Sequence, residues 1–157
     1  MTITDYSPRF NGVPLQLEYI DGRNFRLTRD ARYAIRTGPF ADHASTVRAG
    51  FVFDFASVPR LFWRLFPPAG DGHNRYGVAA LWHDWLYVHQ QIQGRPCSRK
   101  VADNLFHEIM IELHVNRAIA RTMWRAVRVG SCIPWVRHRR ANQRADEQNR
   151  NRGDMCL

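Results

Sequence analysis

A histidine held against a carboxylate is a proton-transfer unit, and this chain has one such pair at a spacing that helices can close. His83-Asp84-Trp85-Leu86-Tyr87 is followed by Asp103 near the start of the next helical segment. On a helix His83 and Tyr87 lie one turn apart and share a face. Asp84 is turned by about 100° from His83 and points elsewhere. Two consecutive helices joined by a short loop lie antiparallel, which brings Asp103 back beside His83. A carboxylate on one imidazole nitrogen fixes the tautomer and stabilises the imidazolium, leaving the other nitrogen as a base. Tyr87 is placed to donate its hydroxyl to the same carboxylate. His83, Asp103 and Tyr87 are therefore the candidate catalytic residues. The assembly has no nucleophile of its own, so the nucleophile is water.

Water needs a polarised target, and two more carboxylates offer one. Asp84 faces the loop and strand end, and Asp54 closes a phenylalanine-rich segment just before Ala56-Ser57-Val58-Pro59-Arg60. Two carboxylates with backbone carbonyls and waters suit calcium, which would polarise a carbonyl oxygen. His107, one turn from Asp103, is a supporting candidate that reads more simply as a surface or helix-facing histidine. The remaining histidines and Cys97 and Cys132 lack zinc spacing. No GxGxxG, phosphate-binding loop or GxSxG is present.

The elements that must position these residues change character along the chain. Pro14–Ile20, Phe25–Leu27 and Tyr33–Ile35 read as short strands, with Asp21-Gly22 as a turn. Val47–Phe55 reads as a longer strand that places Phe51, Phe53 and Phe55 on one face. Pro59, Pro67, Pro68, Gly70 and Gly72 make residues 57–74 a loop around a short aromatic segment with Phe62, Trp63 and Phe66. From Tyr76 the apolar period lengthens toward four, and Tyr76–His89 reads as a largely buried helix. Ser98 caps a second helix through Leu113, and Asn116 caps a third, Arg117–Val129, ended by Gly130. Residues 136–157 lack apolar periodicity and read as a basic, disordered tail. The expected fold is α+β: one domain over residues 1–135, antiparallel strands over about 1–56, then three helices that include an antiparallel pair.

Composition narrows the function classes. The chain has 157 residues, 45% hydrophobic, enough for a folded core. Three cysteines are too few and too odd in number for a disulfide framework. No apolar run reaches the roughly 18 residues of a membrane span, and MTITDYSPRF lacks the layout of a secretory signal. Lys plus Arg is 23 against 14 acids, a formal +9, and Lys100 is the sole lysine. Arginine forks onto phosphate and carboxylate, so the charge balance suits an anionic partner. Arg117, Arg121, Arg125 and Arg128 recur at helical spacing as a basic stripe suited to phosphates.

Two resemblances follow from these motifs. FDFASVPRLFW, HDWLY, SRKVADNLF and WRAVRVG, in this order, resemble a family of uncharacterised phage and prophage proteins across roughly residues 8–135. That resemblance implies the cytoplasm of a bacterial host or a phage virion, and phage structural proteins as partners. More narrowly, HDWLY followed by RKVADNLFHEIM resembles the helix pair of prokaryotic phospholipases A2. It implies His83 as base, Asp103 as its partner supported by Tyr87, and Asp84 and Asp54 as calcium ligands. Arg99 falls on the arginine of the second-helix motif, and Arg60 and His107 are further supporting candidates. The chain departs from those enzymes at Leu81 and Leu86, where they carry cysteines, and lacks their glycine-rich calcium loop.

Three functions are thus expected to compete. The first is a calcium-assisted ester hydrolase acting on lipid at an anionic membrane, with Phe62, Trp63 and Phe66 as an apolar lip. The second is a non-enzymatic virion or assembly protein in which the His–Asp–Tyr cluster is a polar staple. The third is a nucleic-acid-binding protein using the arginine stripe.

Overall fold

The structure, a computed structural model, describes residues 2–3, 15–21, 24–53 and 75–153. Asp54, Arg60, Phe62, Trp63 and Phe66 lie outside the described residues. N-terminal antiparallel strands are followed by helices, as expected for an α+β chain, with one short hairpin set between the first two helices. The strands are β1 (Thr2–Ile3), β2 (Leu15–Asp21), β3 (Asn24–Leu27), β4 (Ala31–Ala34), β5 (Ala44–Val47), β6 (Val52–Phe53), β7 (Gln91–Ile92) and β8 (Arg95–Pro96). The helices are α1 (Arg75–His89), α2 (Arg99–Glu112), α3 (Arg117–Gly130) and α4 (Cys132–Gly153). One antiparallel sheet has the order β1-β2-β3-β6, while β4 with β5 and β7 with β8 form separate hairpins.

The strand expected over Val47–Phe55 is two strands instead. β5 ends at Val47 and β6 begins at Val52, with a turn between them at Ala49 and Gly50. Gly50 sits at φ 85°, a left-handed conformation that favours glycine. Asp30 secures the turn by accepting from Ala49 N at 2.8 Å and Arg48 Nη1 at 2.7 Å. Alternation still puts Phe51 and Phe53 on one face, with parallel rings 6.4 Å apart.

α1 is the centre of the core. Residues 77–83 are all buried, which is why its sequence is apolar nearly all round rather than along one stripe. Trp82 is completely buried, donates its indole N–H to the Ser45 carbonyl, and meets Tyr33 edge to face. The β4–β5 hairpin is thereby fastened to α1.

The β7–β8 hairpin links α1 to α2. Gln93 and Gly94 both have positive φ, 49° and 77°, the conformation of a tight two-residue reversal. The chain returns antiparallel: Tyr87, late in α1, meets Asp103 early in α2, and His83, one turn earlier, meets Phe106. Ser98 caps α2 through Val101 N, and Asn116 caps α3 through Ala118 N and Ile119 N, as the sequence predicts.

The C-terminal segment departs from expectation. Residues 132–153 form α4, where a disordered tail and only three helices were predicted. Its first turns are docked: Trp135 is 8% exposed and packs edge to face on Tyr87 at 5.0 Å. Gln90 Nε2 donates to the Trp135 carbonyl, and Asn142 Nδ2 to the Val88 carbonyl. Beyond the dock, Ala, Arg, Gln and Glu are strong helix formers, so the helix continues without an apolar stripe. Among the described residues no helix is long and apolar enough to cross a membrane.

Candidate active site

Asp103 is the hub of the site. It is completely buried in α2, and its two oxygens are approached from three helices. Oδ1 accepts from Tyr87 Oη at 2.6 Å and lies 3.0 Å from His83 Nε2. Oδ2 accepts from Arg128 Nη1 at 2.8 Å, with Arg99 Nη1 at 3.9 Å. Arg99 also donates to the Arg128 carbonyl at 2.9 Å, which ties the start of α2 to the end of α3. Tyr87 Oη lies 2.9 Å from Ser131 Oγ, and Ser131 in turn donates to the Val127 carbonyl.

These contacts set the protonation states. Burial pushes the Asp103 carboxyl up, but hydrogen bonds from His83, Tyr87 and Arg128 outweigh it and hold the group below the usual carboxylate range. Burial pushes the His83 imidazole down, yet the Asp103 hydrogen bond and the Asp84 carboxylate lift it above its ordinary value. Burial, then the Asp103 carboxylate, raises the Tyr87 hydroxyl, so it stays a proton donor.

The two nitrogens of His83 have different surroundings. Nε2 faces Asp103, which makes it the donor in the neutral ring and leaves the lone pair on Nδ1. Nδ1 is buried and has no hydrogen-bond partner among the described residues. Asp84 Oδ1 lies 3.8 Å from it, too far for a hydrogen bond. Asp84 was expected to point away from His83. It converges with it on one cavity of about 580 Å³.

The cavity wall is mainly apolar, formed by Phe51, Phe53, Val88, Val127 and Pro134, with His83, Asp84 and Tyr87 among its polar residues. Phe51 and Phe53 are there because β-strand alternation turns both to one side, and Phe51 is held edge to face by Trp85 at 5.1 Å.

Of the predicted residues, His83, Tyr87, Asp103 and Arg99 come together in one cluster. Arg128 joins them, drawn out of the expected basic stripe by Asp103. His107 does not: it lines a second groove with Trp124, where burial and the Arg121 charge lower its pKa. Arg117, Arg121 and Arg125 remain exposed on α3. Among the described residues no three His, Cys, Asp or Glu side chains converge as a metal site. Asp84 alone falls short of the six to eight oxygens calcium takes, so the described donors do not by themselves fit that ion. Sequence reasoning missed Ser131, Trp135 and the attachment of Arg128 to Asp103. A contact across helices leaves no local signal, although Arg128 could have been noticed as the one arginine of its stripe off the strict four-residue spacing.

No curated protein matches the chain, and no solved structure does. Residues 25–127 match a protein family of unknown function, DUF1353, in a stretch that runs from β3 to the last turn of α3 and includes His83, Asp84, Tyr87, Arg99 and Asp103. Covering more than half of the chain, that match makes it a member of the DUF1353 family.

Proposed function

We propose that the chain is an ester hydrolase in which His83 Nδ1 is the general base. The observation that carries this reading is the asymmetry of the imidazole. Nε2 is committed to a buried carboxylate, while Nδ1 has no described partner on a residue that lines a cavity. Nδ1 removes a proton from a water molecule as the water oxygen attacks the ester carbonyl carbon. Asp103 stabilises the imidazolium that forms. The same proton then passes to the leaving alcohol oxygen as the carbon–oxygen bond breaks, giving an acid and an alcohol. Tyr87, Arg128 and Arg99 act through Asp103, holding it ionised and in place. The apolar wall of Phe51, Phe53, Val88 and Val127 suits a substrate whose acyl part is hydrocarbon, as in a phospholipid.

The test is release of fatty acid from mixed phospholipid vesicles by wild type and His83→Gln, with calcium and with a chelator. Glutamine keeps a donor for Asp103 and removes the base. Release by wild type that falls by about 10²–10⁴-fold in a folded His83→Gln protein is the expected result. The chelator arm decides whether Asp84 and Asp54 take part through calcium. Absence of release from folded wild-type protein, in both arms, overturns the reading for lipid esters.

A second reading rests on the complete burial of Asp103. Such a knot could serve only to tie α1, α2 and α3 together, in a non-enzymatic assembly component such as part of a virion. On that reading wild type releases nothing, and His83→Gln changes only the melting temperature.

A further inference from the structure

The groove on the other side of α2 has a chemistry of its own. It encloses about 560 Å³ between α2, α3 and the Arg36–Thr37 segment, and the cluster at Asp103 does not line it. Its aromatic wall is Trp124, half-buried and fixed by an indole N–H donated to Asn104 Oδ1 at 3.2 Å. His107 meets that ring at 6.1 Å.

The acids in this groove are already engaged. Glu108 accepts from Tyr33 Oη at 3.0 Å, from the backbone N–H groups of Arg36 and Thr37, and from the Thr37 hydroxyl. Glu112 accepts from Arg36 Nη1 at 3.3 Å. Arg121 and Arg125 line the groove too, and no carboxylate among the described residues pairs with either. Arg117 stands one further turn along the same face of α3, so three exposed guanidinium groups recur about every 6 Å beside an aromatic ring.

We propose that this groove binds single-stranded nucleic acid, with a base against Trp124 and successive phosphates on Arg125, Arg121 and Arg117. Guanidinium groups fork onto phosphate oxygens, and an aromatic ring accepts any base by stacking, so the site is tolerant of sequence. A row of cations rather than a single one distinguishes a strand from a free nucleotide, and the aromatic wall distinguishes it from an acidic peptide. The formal +9 of the chain adds long-range attraction for a polyanion. This inference is independent of the hydrolase reading.

The experiment is fluorescence anisotropy of a labelled oligothymidylate of about twelve nucleotides. Wild type binds, and its affinity falls with salt with a logarithmic slope of roughly −2, as three phosphate contacts on a single strand require. Arg121→Glu/Arg125→Glu weakens binding at least about tenfold and flattens the slope by roughly one or more. Arg139→Glu/Arg140→Glu, an equal charge change on exposed residues of α4, weakens it by less than about threefold. Trp124→Leu, checked for folding by circular dichroism, loses roughly fivefold or more. The proposal is overturned by no binding at roughly 50 mM salt or by equal losses in the two double variants. It is likewise overturned by competition from thymidine monophosphate or polyglutamate as strong as that from the unlabelled strand.

Discussion

Asp103 and Asn104 are neighbours in the chain, yet α2 delivers them to opposite kinds of place. Asp103 enters a closed knot where every charge meets its complement: a carboxylate with His83, Tyr87, Arg128 and the nearby Arg99. Asn104 enters an open groove where it holds Trp124, and where Arg121 and Arg125 pair with no carboxylate among the described residues because Glu108 and Glu112 are engaged by Tyr33, Arg36 and Thr37. Burial explains the contrast. A charge out of water must be matched within the protein, whereas a charge at the surface is matched by solvent until a ligand arrives. Stability should therefore depend on the knot and be indifferent to the groove, while each contributes a different recognition chemistry.

The sharpest way to break that comparison is Asp103→Ala. Removing the carboxylate leaves His83, Tyr87 and Arg128 without their common partner, and chemical denaturation should show a loss of about 3–5 kcal/mol. A loss below about 1 kcal/mol would mean the knot is no more coupled to folding than an ordinary surface site. Hydrolysis should disappear with it.

Next in size is the pH dependence. Because folding raises the His83 pKa above its ordinary 6.5, its contribution to stability is full below pH 6.5 and is lost as pH rises through the raised value. His89 and His107 are shifted the other way by burial, so their contributions are present above pH 6.5 and lost as pH falls through their lowered values. Thermal unfolding across the neutral range should show greatest stability around pH 6.5, and His83→Gln should remove the decline on the alkaline side. Hydrolysis by a neutral base should run opposite to stability there, rising as His83 loses its proton. A rate that falls over the same interval would contradict the assignment of Nδ1 as base.

Tyr87→Phe tests a finer point. It deletes one of the three hydrogen bonds to Asp103 and should cost about 0.5–1.5 kcal/mol, since His83 and Arg128 still hold the carboxylate. The smallest effect belongs to the groove: Arg121→Glu/Arg125→Glu should leave the unfolding free energy within roughly 0.5 kcal/mol of wild type. A larger change would show that these arginines are part of the folded core's support, and that the groove is not the independent surface described above.

Local signals carried much of this molecule. Ser98 and Asn116 announced the starts of α2 and α3 because a side-chain oxygen before a helix satisfies its first free N–H groups. The four-residue step from His83 to Tyr87 placed both on one face because the helix repeats every 3.6 residues. The Gly50 turn was hidden inside an alternating apolar run, since alternation by itself does not show where a strand is interrupted. α4 was hidden for the opposite reason: its helix lacks an apolar stripe and is anchored to the C-terminal end of α1 by Trp135 on Tyr87 and by the side-chain amides of Gln90 and Asn142.

The amino-acid sequence by itself therefore determined the passage from N-terminal strands to helices, the caps of α2 and α3, and the pairing of His83 with a carboxylate one helix on. The first two depend on groups within a few turns of one another, and the third on a short connection that returns α2 antiparallel to α1. Only the tertiary structure decided that Arg128 leaves its stripe for Asp103, that Asp84 converges with His83 on one cavity, and that Trp124 and two free arginines share a groove. Those outcomes depend on which faces of α1, α2 and α3 meet, and that is set by burying Trp82, Phe106 and their neighbours in a common core rather than by any local pattern.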